Sequence, residues 1–170
     1  DIVSGGEMQR ALHAGILPEK IVFSGVSKSK AEITAALKSE ILQINVESLP
    51  ELERIAAIAE EMNVIAPVSF RFNPDVDALT HAKITTGKSE NKFGLNQEET
   101  ETLYRFASSH QNLRPRGLSV HIGSQLTDLE PYRQAYTKLA ALAAKLMNEG
   151  LPVEVLDLGG GLGITYRDET

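Results

Sequence analysis

The 170-residue sequence contains no cysteine, which excludes a disulfide framework and any metal site with a cysteine ligand, and which fits a reducing, cytoplasmic location. It also lacks any cluster of Lys and Arg. With a formal net charge of -6 it has none of the concentrated positive charge that neutralising nucleic-acid phosphates requires, so an anion that binds must be held locally. No apolar run approaches the roughly 20 residues of a spanning helix, and none reads as a signal peptide. Neither nucleic acid nor membrane is expected as a partner, and no metal site is assigned. What is present is ordinary for a folded domain: 42% hydrophobic and 24% charged residues, in a chain long enough for one sizeable core. The opening DIVSGGE reads as the middle of a strand-to-helix unit, so the sequence is expected to continue ahead of Asp1.

One pattern repeats along the chain. Short β-branched runs (IVS at 2–4, KIVFSG at 20–25, ILQINV at 41–46, VSFRFNP at 68–74, GLSVHIG at 117–123, VEVLDLGG at 153–160) alternate with segments of helical period. That rhythm predicts parallel strands joined by crossover helices. Strands are expected near 1–4, 20–24, 41–46, 67–72, 117–122 and 154–159, side by side in chain order and curving as an incomplete barrel. Six units also suffice for a doubly wound sheet, whereas a closed eight-stranded barrel would need two more. Ser29 with Glu32, Ser48 with Glu51 and Asn96 with Glu99 fit capping boxes; Pro50 falls in a first turn, and Gly15 and Gly150 fit the ends of helices. Leu49, Leu52, Ile55, Ala56, Ala59 and Met62 make one apolar stripe that covers a sheet face.

Small and polar residues collect just after the strands, in SGG, FSG, NVES, RFNP, HIGS and LGGG, where parallel α/β folds bind ligands. The connection from Asn73 to Asn96 is far longer than the usual two to six residues of a βα loop and reads as a lid or binding loop. Gly159, Gly160 and Gly161 would leave backbone N–H groups free to surround a phosphate, although a glycine triplet also serves as a plain tight turn. HIGS offers a second phosphate turn, through the Ser124 hydroxyl and the close approach that Gly123 permits. His121 reads either as a satisfied core histidine or, beside two such turns, as a flat ring stacked on a planar cofactor.

Taken together, DIVSGGE, RFNP followed by H-x-x-I-x-T-G, NKFGL, HIGSQ and LDLGGGLG resemble the diaminopimelate decarboxylase family, fold-type III pyridoxal 5'-phosphate (PLP) enzymes with an alanine racemase-like barrel. The resemblance runs over essentially all 170 residues in the family's order. It implies an α/β fold in which residues 1–170 form an incomplete PLP-binding (β/α)8 TIM-barrel domain, about strands 2 to 7. It also implies decarboxylation of meso-2,6-diaminopimelate to L-lysine and carbon dioxide, PLP as cofactor, and a homodimer for the full-length protein. By resemblance, His121 stacks on the pyridine ring, Ser124 and Gly159 to Gly161 hold the phosphate, Asp1 and Glu7 approach the cofactor and its imine side, and Arg71 lies beside the phenolic oxygen. The plainer readings are a solvated strand end for Asp1, a helix first-turn acid for Glu7, and for Arg71 an ion pair with one of these two. His81, Thr86, Gly87 and Lys92 resemble the family's active-site loop, with Asn91 where the family more often has Ser.

The resemblance places other parts outside this sequence: the Schiff-base lysine ahead of Asp1, an eighth strand with a Glu-Pro-Gly-Arg motif after Thr170, a C-terminal β-domain and a catalytic cysteine that reaches across a dimer. No lysine present matches the Schiff-base position, so the 170 residues alone are expected to be inactive. Two other functions remain open: a PLP-binding barrel without decarboxylase activity, and a decarboxylase for arginine or another polyamine precursor.

Overall fold

The computed structural model describes residues 1–76 and 93–164. Five parallel strands, β1 (Val22–Phe23), β2 (Gln43–Val46), β3 (Ala66–Arg71), β4 (Leu113–Ser119) and β5 (Val155–Asp157), lie in sequential order in one sheet. Between and around them run α1 (Gly5–His13), α2 (Lys30–Lys38), α3 (Leu49–Met62), α4 (Gln97–Ser109) and α5 (Glu130–Asn148), with one 3-10 turn at Pro18–Lys20. The order excludes a doubly wound sheet, in which it would reverse midway.

The sheet curls. Asn45 on β2 donates to Asp157 on β5 at 2.9 Å although β3 and β4 lie between them. In a flat sheet three strand spacings would hold these residues about 14 Å apart. The curl separates two faces of different chemistry. Phe23, Ile44, Val68, Phe70 and Leu118, all fully buried, alternate outward against Ile33 of α2, Leu52 and Ile55 of α3, Tyr104 of α4 and Leu139 of α5. The opposite positions, Gln43, Asn45, Ser69 and Ser119, are buried and polar. A barrel lumen is usually filled by branched apolar side chains; this one is lined with hydrogen-bonding groups that lead to the strand ends.

Local signals set the helices. The capping boxes at Ser29 with Glu32 and Asn96 with Glu99 form in both directions, and Gly15 and Gly150 follow α1 and α5 with φ of 83° and 81°. The third box forms only by half. Ser48 accepts from the Glu51 amide, but the Glu51 carboxylate turns to the buried Lys28 ammonium at 2.9 Å and to the Glu47 amide at 2.7 Å. A buried charge outbids a local cap, because an unpaired ammonium there would cost several kcal/mol and a cap contributes ~1. In α3, Leu52, Ile55, Ala56 and Ala59 are buried as the stripe requires, whereas Leu49 at its start is 46% exposed.

Two strand expectations need correction. The strand expected at 1–4 is reduced to a single parallel bridge from Ile2 to Phe23, because Ser4 already caps α1 and the Glu7 carboxylate takes the Val3 amide at 2.7 Å. The strand expected at 117–122 begins at Leu113 and ends at Ser119. Val120 is buried beside Leu118 and still bonds to the Asp157 carbonyl, but the chain then turns at Gly123, whose φ is 139°. Most of the long connection after Asn73, with His81, Thr86, Gly87, Asn91 and Lys92, lies outside the described residues.

Candidate active site

A cavity of about 240 Å³ opens at the C-terminal ends of the strands. Its walls are residues at or near the strand ends: Ser24 and Gly25 after β1, Arg71 closing β3, His121 after β4, Asp157 closing β5 with Gly159 beyond it, and Asp1 beside the Ile2 bridge. Asn45 and Ser119 of the lumen form its floor. Of the residues singled out from sequence, the fold brings Asp1, Arg71, His121 and Gly159 into this one cavity.

The Arg71 guanidinium is held by a carboxylate and an aromatic ring. Its guanidinium meets both carboxylate oxygens of Glu47, at 2.8 and 2.9 Å, so its ion-pair partner is neither Asp1 nor Glu7. Glu47 is buried and also accepts from the Gly25 amide at 3.0 Å, while its own amide is fixed by Glu51. From the far side the Phe93 ring lies 5.6 Å from the guanidinium carbon. Phe93 stands in the NKFGL motif, and Gly94 lets the segment approach, since a Cβ there would lie 2.7 Å from the Arg71 carbonyl oxygen.

 Leu95 itself extends the sheet, donating its amide to the Arg71 carbonyl at 2.8 Å and bridging Phe72.

The two glycine-bearing turns touch each other. A Cβ on Gly161 would stand 1.8 Å from the Gly123 carbonyl oxygen and 3.3 Å from the Ser124 Cα, and one on Gly159 would stand 2.2 Å from the Val120 carbonyl oxygen. Both have positive φ, 94° at Gly161 and 70° at Gly159, so glycine is required at each on two counts. The amides of the turn differ in what they offer. Gly159 donates to the Asp157 carboxylate at 2.9 Å and Gly160, more weakly, to His121 Nδ1 at 3.4 Å. Among the described residues the Gly161 amide and the Ser124 hydroxyl have no protein partner, and Ser124 is exposed. Glu7 lies apart from the cavity lining, in the first turn of α1 with its carboxylate on the Val3 amide.

Burial pushes the His121 pKa down and the neighbouring Arg71 adds to the fall, against the opposing pull of Asp157 and Glu47. The ring is therefore neutral near pH 7, and acceptance at Nδ1 leaves the proton on Nε2. Asp157, Asn45, Ser24 and Glu47 were not singled out from sequence. Their segments NVES, FSG and LDLGGG marked strand ends, but nothing local says which side chains meet across the barrel.

Comparison with known proteins agrees with the fold. All 170 residues match the family described as "Pyridoxal-dependent decarboxylase, pyridoxal binding domain". The diaminopimelate decarboxylase of Haemophilus influenzae is 52% identical over 170 residues, which cover 100% of this chain and 41% of that protein. The crystal structure of diaminopimelate decarboxylase from Helicobacter pylori complexed with L-lysine superposes with a TM-score of 0.91 at 48% identity, over 99% of this chain and 43% of that one. The lysine/ornithine decarboxylase from Vibrio vulnificus complexed with putrescine is more distant, with a TM-score of 0.76 and 25% identity over 98% of this chain and 40% of that one. The chain thus spans about two fifths of the length of the curated relatives it matches.

Proposed function

The chain belongs to the pyridoxal-dependent decarboxylases, as their pyridoxal-binding domain, and from that premise we propose that it forms the cofactor-binding barrel of a diaminopimelate decarboxylase, which converts meso-2,6-diaminopimelate to L-lysine and carbon dioxide. The observation that carries the substrate assignment is the identity of 52% to a diaminopimelate decarboxylase, about twice the 25% shared with a lysine/ornithine decarboxylase.

The residues present fit PLP. Ser119 Oγ is buried on the cavity floor without a hydrogen-bond partner among the described residues, the state of a group reserved for a ligand or water. Gly161 offers a free amide next to the Ser124 hydroxyl, a pair that can hold a phosphate without a basic cluster. Bound PLP supplies the electron sink for the bond broken at the substrate's α-carbon.

The chain's own residues have four tasks in this reading. Gly161 and Ser124 anchor the phosphate. His121, kept neutral by burial and by Arg71, packs a flat uncharged ring against the cofactor without placing a second positive charge beside it. Arg71, aligned by Glu47 and Phe93 and lining the cavity, would offer its remaining N–H groups to the phenolic oxygen of the cofactor. Asp1, fixed by the Ser24 hydroxyl at 2.8 Å, presents a carboxylate at the opposite wall. Glu7 is assigned to the imine side on family resemblance, and its bond to the Val3 amide makes it also the support of the segment that carries Asp1. The full-length protein is proposed to be a cytoplasmic homodimer; these 170 residues, which carry no cysteine, fit a reducing compartment, and the family resemblance supports the dimer. Among the described residues no helix is long and apolar enough to cross a membrane.

The test is carbon dioxide release by the purified full-length protein carrying this sequence, with PLP, from meso-diaminopimelate and separately from L-ornithine, L-arginine and L-lysine. Turnover of meso-diaminopimelate with formation of L-lysine is the expected result. Faster turnover of ornithine or arginine would move the protein to the polyamine-precursor decarboxylases, and PLP binding without turnover of any of them would favour a non-catalytic PLP barrel.

A further inference from the structure

We infer that Asn45 is a positioning residue, the cross-barrel tie that couples the Asp1 wall of the cavity to the glycine turn on the opposite wall. The inference rests on the proposed PLP site for its functional meaning, but its geometry stands in the protein alone. Asn45 is 2% exposed and every polar atom of its side chain is engaged. One Nδ2 proton goes to Ser24 Oγ at 3.0 Å, and Ser24 in turn donates to Asp1 at 2.8 Å. The other goes to Asp157 Oδ2 at 2.9 Å, and Asp157 Oδ1 accepts from the Gly159 amide at 2.9 Å. The Asn45 Oδ1 accepts from Gln43 Nε2 at 3.0 Å, and the Asp157 carboxylate, which can only accept, sets the orientation of the amide, since a flipped amide would turn oxygen against oxygen. An unbroken path of five groups therefore runs Asp1, Ser24, Asn45, Asp157, Gly159, from the opening motif to the triplet whose Gly161 faces the phosphate turn.

Only an amide can fill this place. The two acceptors on either side of Nδ2 need two protons from one atom, and a carboxyl of the same shape supplies at most one. In Asn45→Asp the new carboxyl would meet the Asp157 carboxylate at hydrogen-bond distance, where two like charges cannot both persist. The other charges facing this point do not compensate freely. Arg71 on β3 is paired with Glu47, and Lys28, whose ammonium bonds the Asn45 carbonyl at 2.8 Å, is paired with Glu51. Asp1 adds a further negative charge through Ser24, and the His121 ring beyond β4 is held neutral by burial and Arg71. The variant must therefore keep a shared proton to hold the tie, and it loses that proton as pH rises.

Three forms of the full-length protein test this: wild type, Asn45→Asp, and the reciprocal swap Asn45→Asp/Asp157→Asn, which returns one amide and one carboxylate to the same gap in reverse order. Thermal unfolding of the cofactor-free proteins comes first. The expected result is a midpoint for Asn45→Asp at least about 4 °C below wild type near pH 8.5, a deficit that shrinks near pH 6, and recovery of most of it in the swap. PLP dissociation constants measured at the same two pH values should follow: about tenfold or more weaker for Asn45→Asp at the higher pH, with partial recovery at the lower pH and in the swap. An equal deficit at both pH values, with a swap no better than Asn45→Asp, would overturn the inference. Should Asn45→Asp fail to fold at either pH, a folded swap upholds the tie and an unfolded swap overturns it. A wild-type protein that takes up no PLP would defeat the functional proposal, and the cofactor-free unfolding would still judge the tie.

Discussion

Substituting alanine along the triplet Gly159-Gly160-Gly161 should give three unequal results, and the structure says how unequal. At Gly161 the new methyl would start 1.8 Å from the Gly123 carbonyl oxygen, on a backbone with φ of 94°. Holding a residue with a Cβ in such a conformation costs of order 1–3 kcal/mol. Relieving the clash requires the HIGS turn to move by more than an ångström, an overpacking cost of about 1–3 kcal/mol. The same movement stretches the bond from the Leu126 amide to the Gly161 carbonyl, now 3.0 Å, and the bridge between Leu126 and Leu162. The expected loss for Gly161→Ala is therefore about 2–6 kcal/mol. Gly159→Ala should lose nearly as much, with its Cβ 2.2 Å from the Val120 carbonyl oxygen at φ of 70°. Gly160 has no heavy atom within 4 Å of the same added atom and no positive φ, so Gly160→Ala should stay within about 0.5 kcal/mol of wild type. Urea unfolding of the cofactor-free full-length protein, followed by circular dichroism, measures all three. A Gly161→Ala protein as stable as wild type, or a Gly160→Ala protein that loses as much as Gly161→Ala, would refute the claim that the two turns are held in contact by the missing side chains.

Other perturbations test the charges beneath the site. Lys28→Met should cost about 3–5 kcal/mol in the same unfolding assay, because Glu51 would stay buried without its cation, and adding Glu51→Gln should recover part of the loss; a near-neutral Lys28→Met would contradict the burial of the pair. The acid limb of the stability profile should carry Glu32 and Glu101, whose pKa values are both lowered from 4.5 to about 2, the first chiefly by the Gly5 amide and the second chiefly by Lys145. Groups lowered on folding bind fewer protons in the folded state, so their stabilisation is present above pH 4.5 and is lost as pH falls toward 2. Glu101→Gln should flatten that part of the profile, and an unchanged slope would count against the Lys145 pair. His121 is lowered too, so the neutral ring stabilises the fold above its unfolded pKa of 6.5 and this contribution fades as pH drops through the lower folded value. In His121→Ala the dependence below pH 6.5 should weaken, as melts at stepped pH would report.

The parts of the fold that the sequence made legible are those governed by neighbours along the chain. Ser29 and Asn96 announced their helices because the partner of each cap stands three residues away. The βα rhythm and strand order followed from the same local reasoning. Strand ends were harder. Leu118, Val120 and Ile122 alternate like a strand, but the strand ends at Ser119, and beyond it Val120 is buried and keeps one bond to β5, at the Asp157 carbonyl. Glu51 read as a cap and became the partner of Lys28, 23 residues away. Gln43 and Ser69 were passed over inside runs read as β-branched strands, because two polar positions in a short strand leave too weak a period to mark a polar lumen. Asn45 meets Asp157 across 112 residues of sequence, and only the curl of the sheet brings them together. The site residues named from resemblance fared according to how directly each faces the cavity: Asp1, Arg71, His121 and Gly159 line it, Gly161 and Ser124 stand together beside it, and Glu7 supports it from α1.

The most direct test of the central claim is a crystal structure of the full-length protein with PLP bound. The account predicts the phosphate within hydrogen-bond reach of the Gly161 amide and the Ser124 hydroxyl, the pyridine ring against His121, and Arg71 still paired with Glu47. A cofactor seated outside the cavity at the strand ends, or a phosphate held by neither Gly161 nor Ser124, would contradict it.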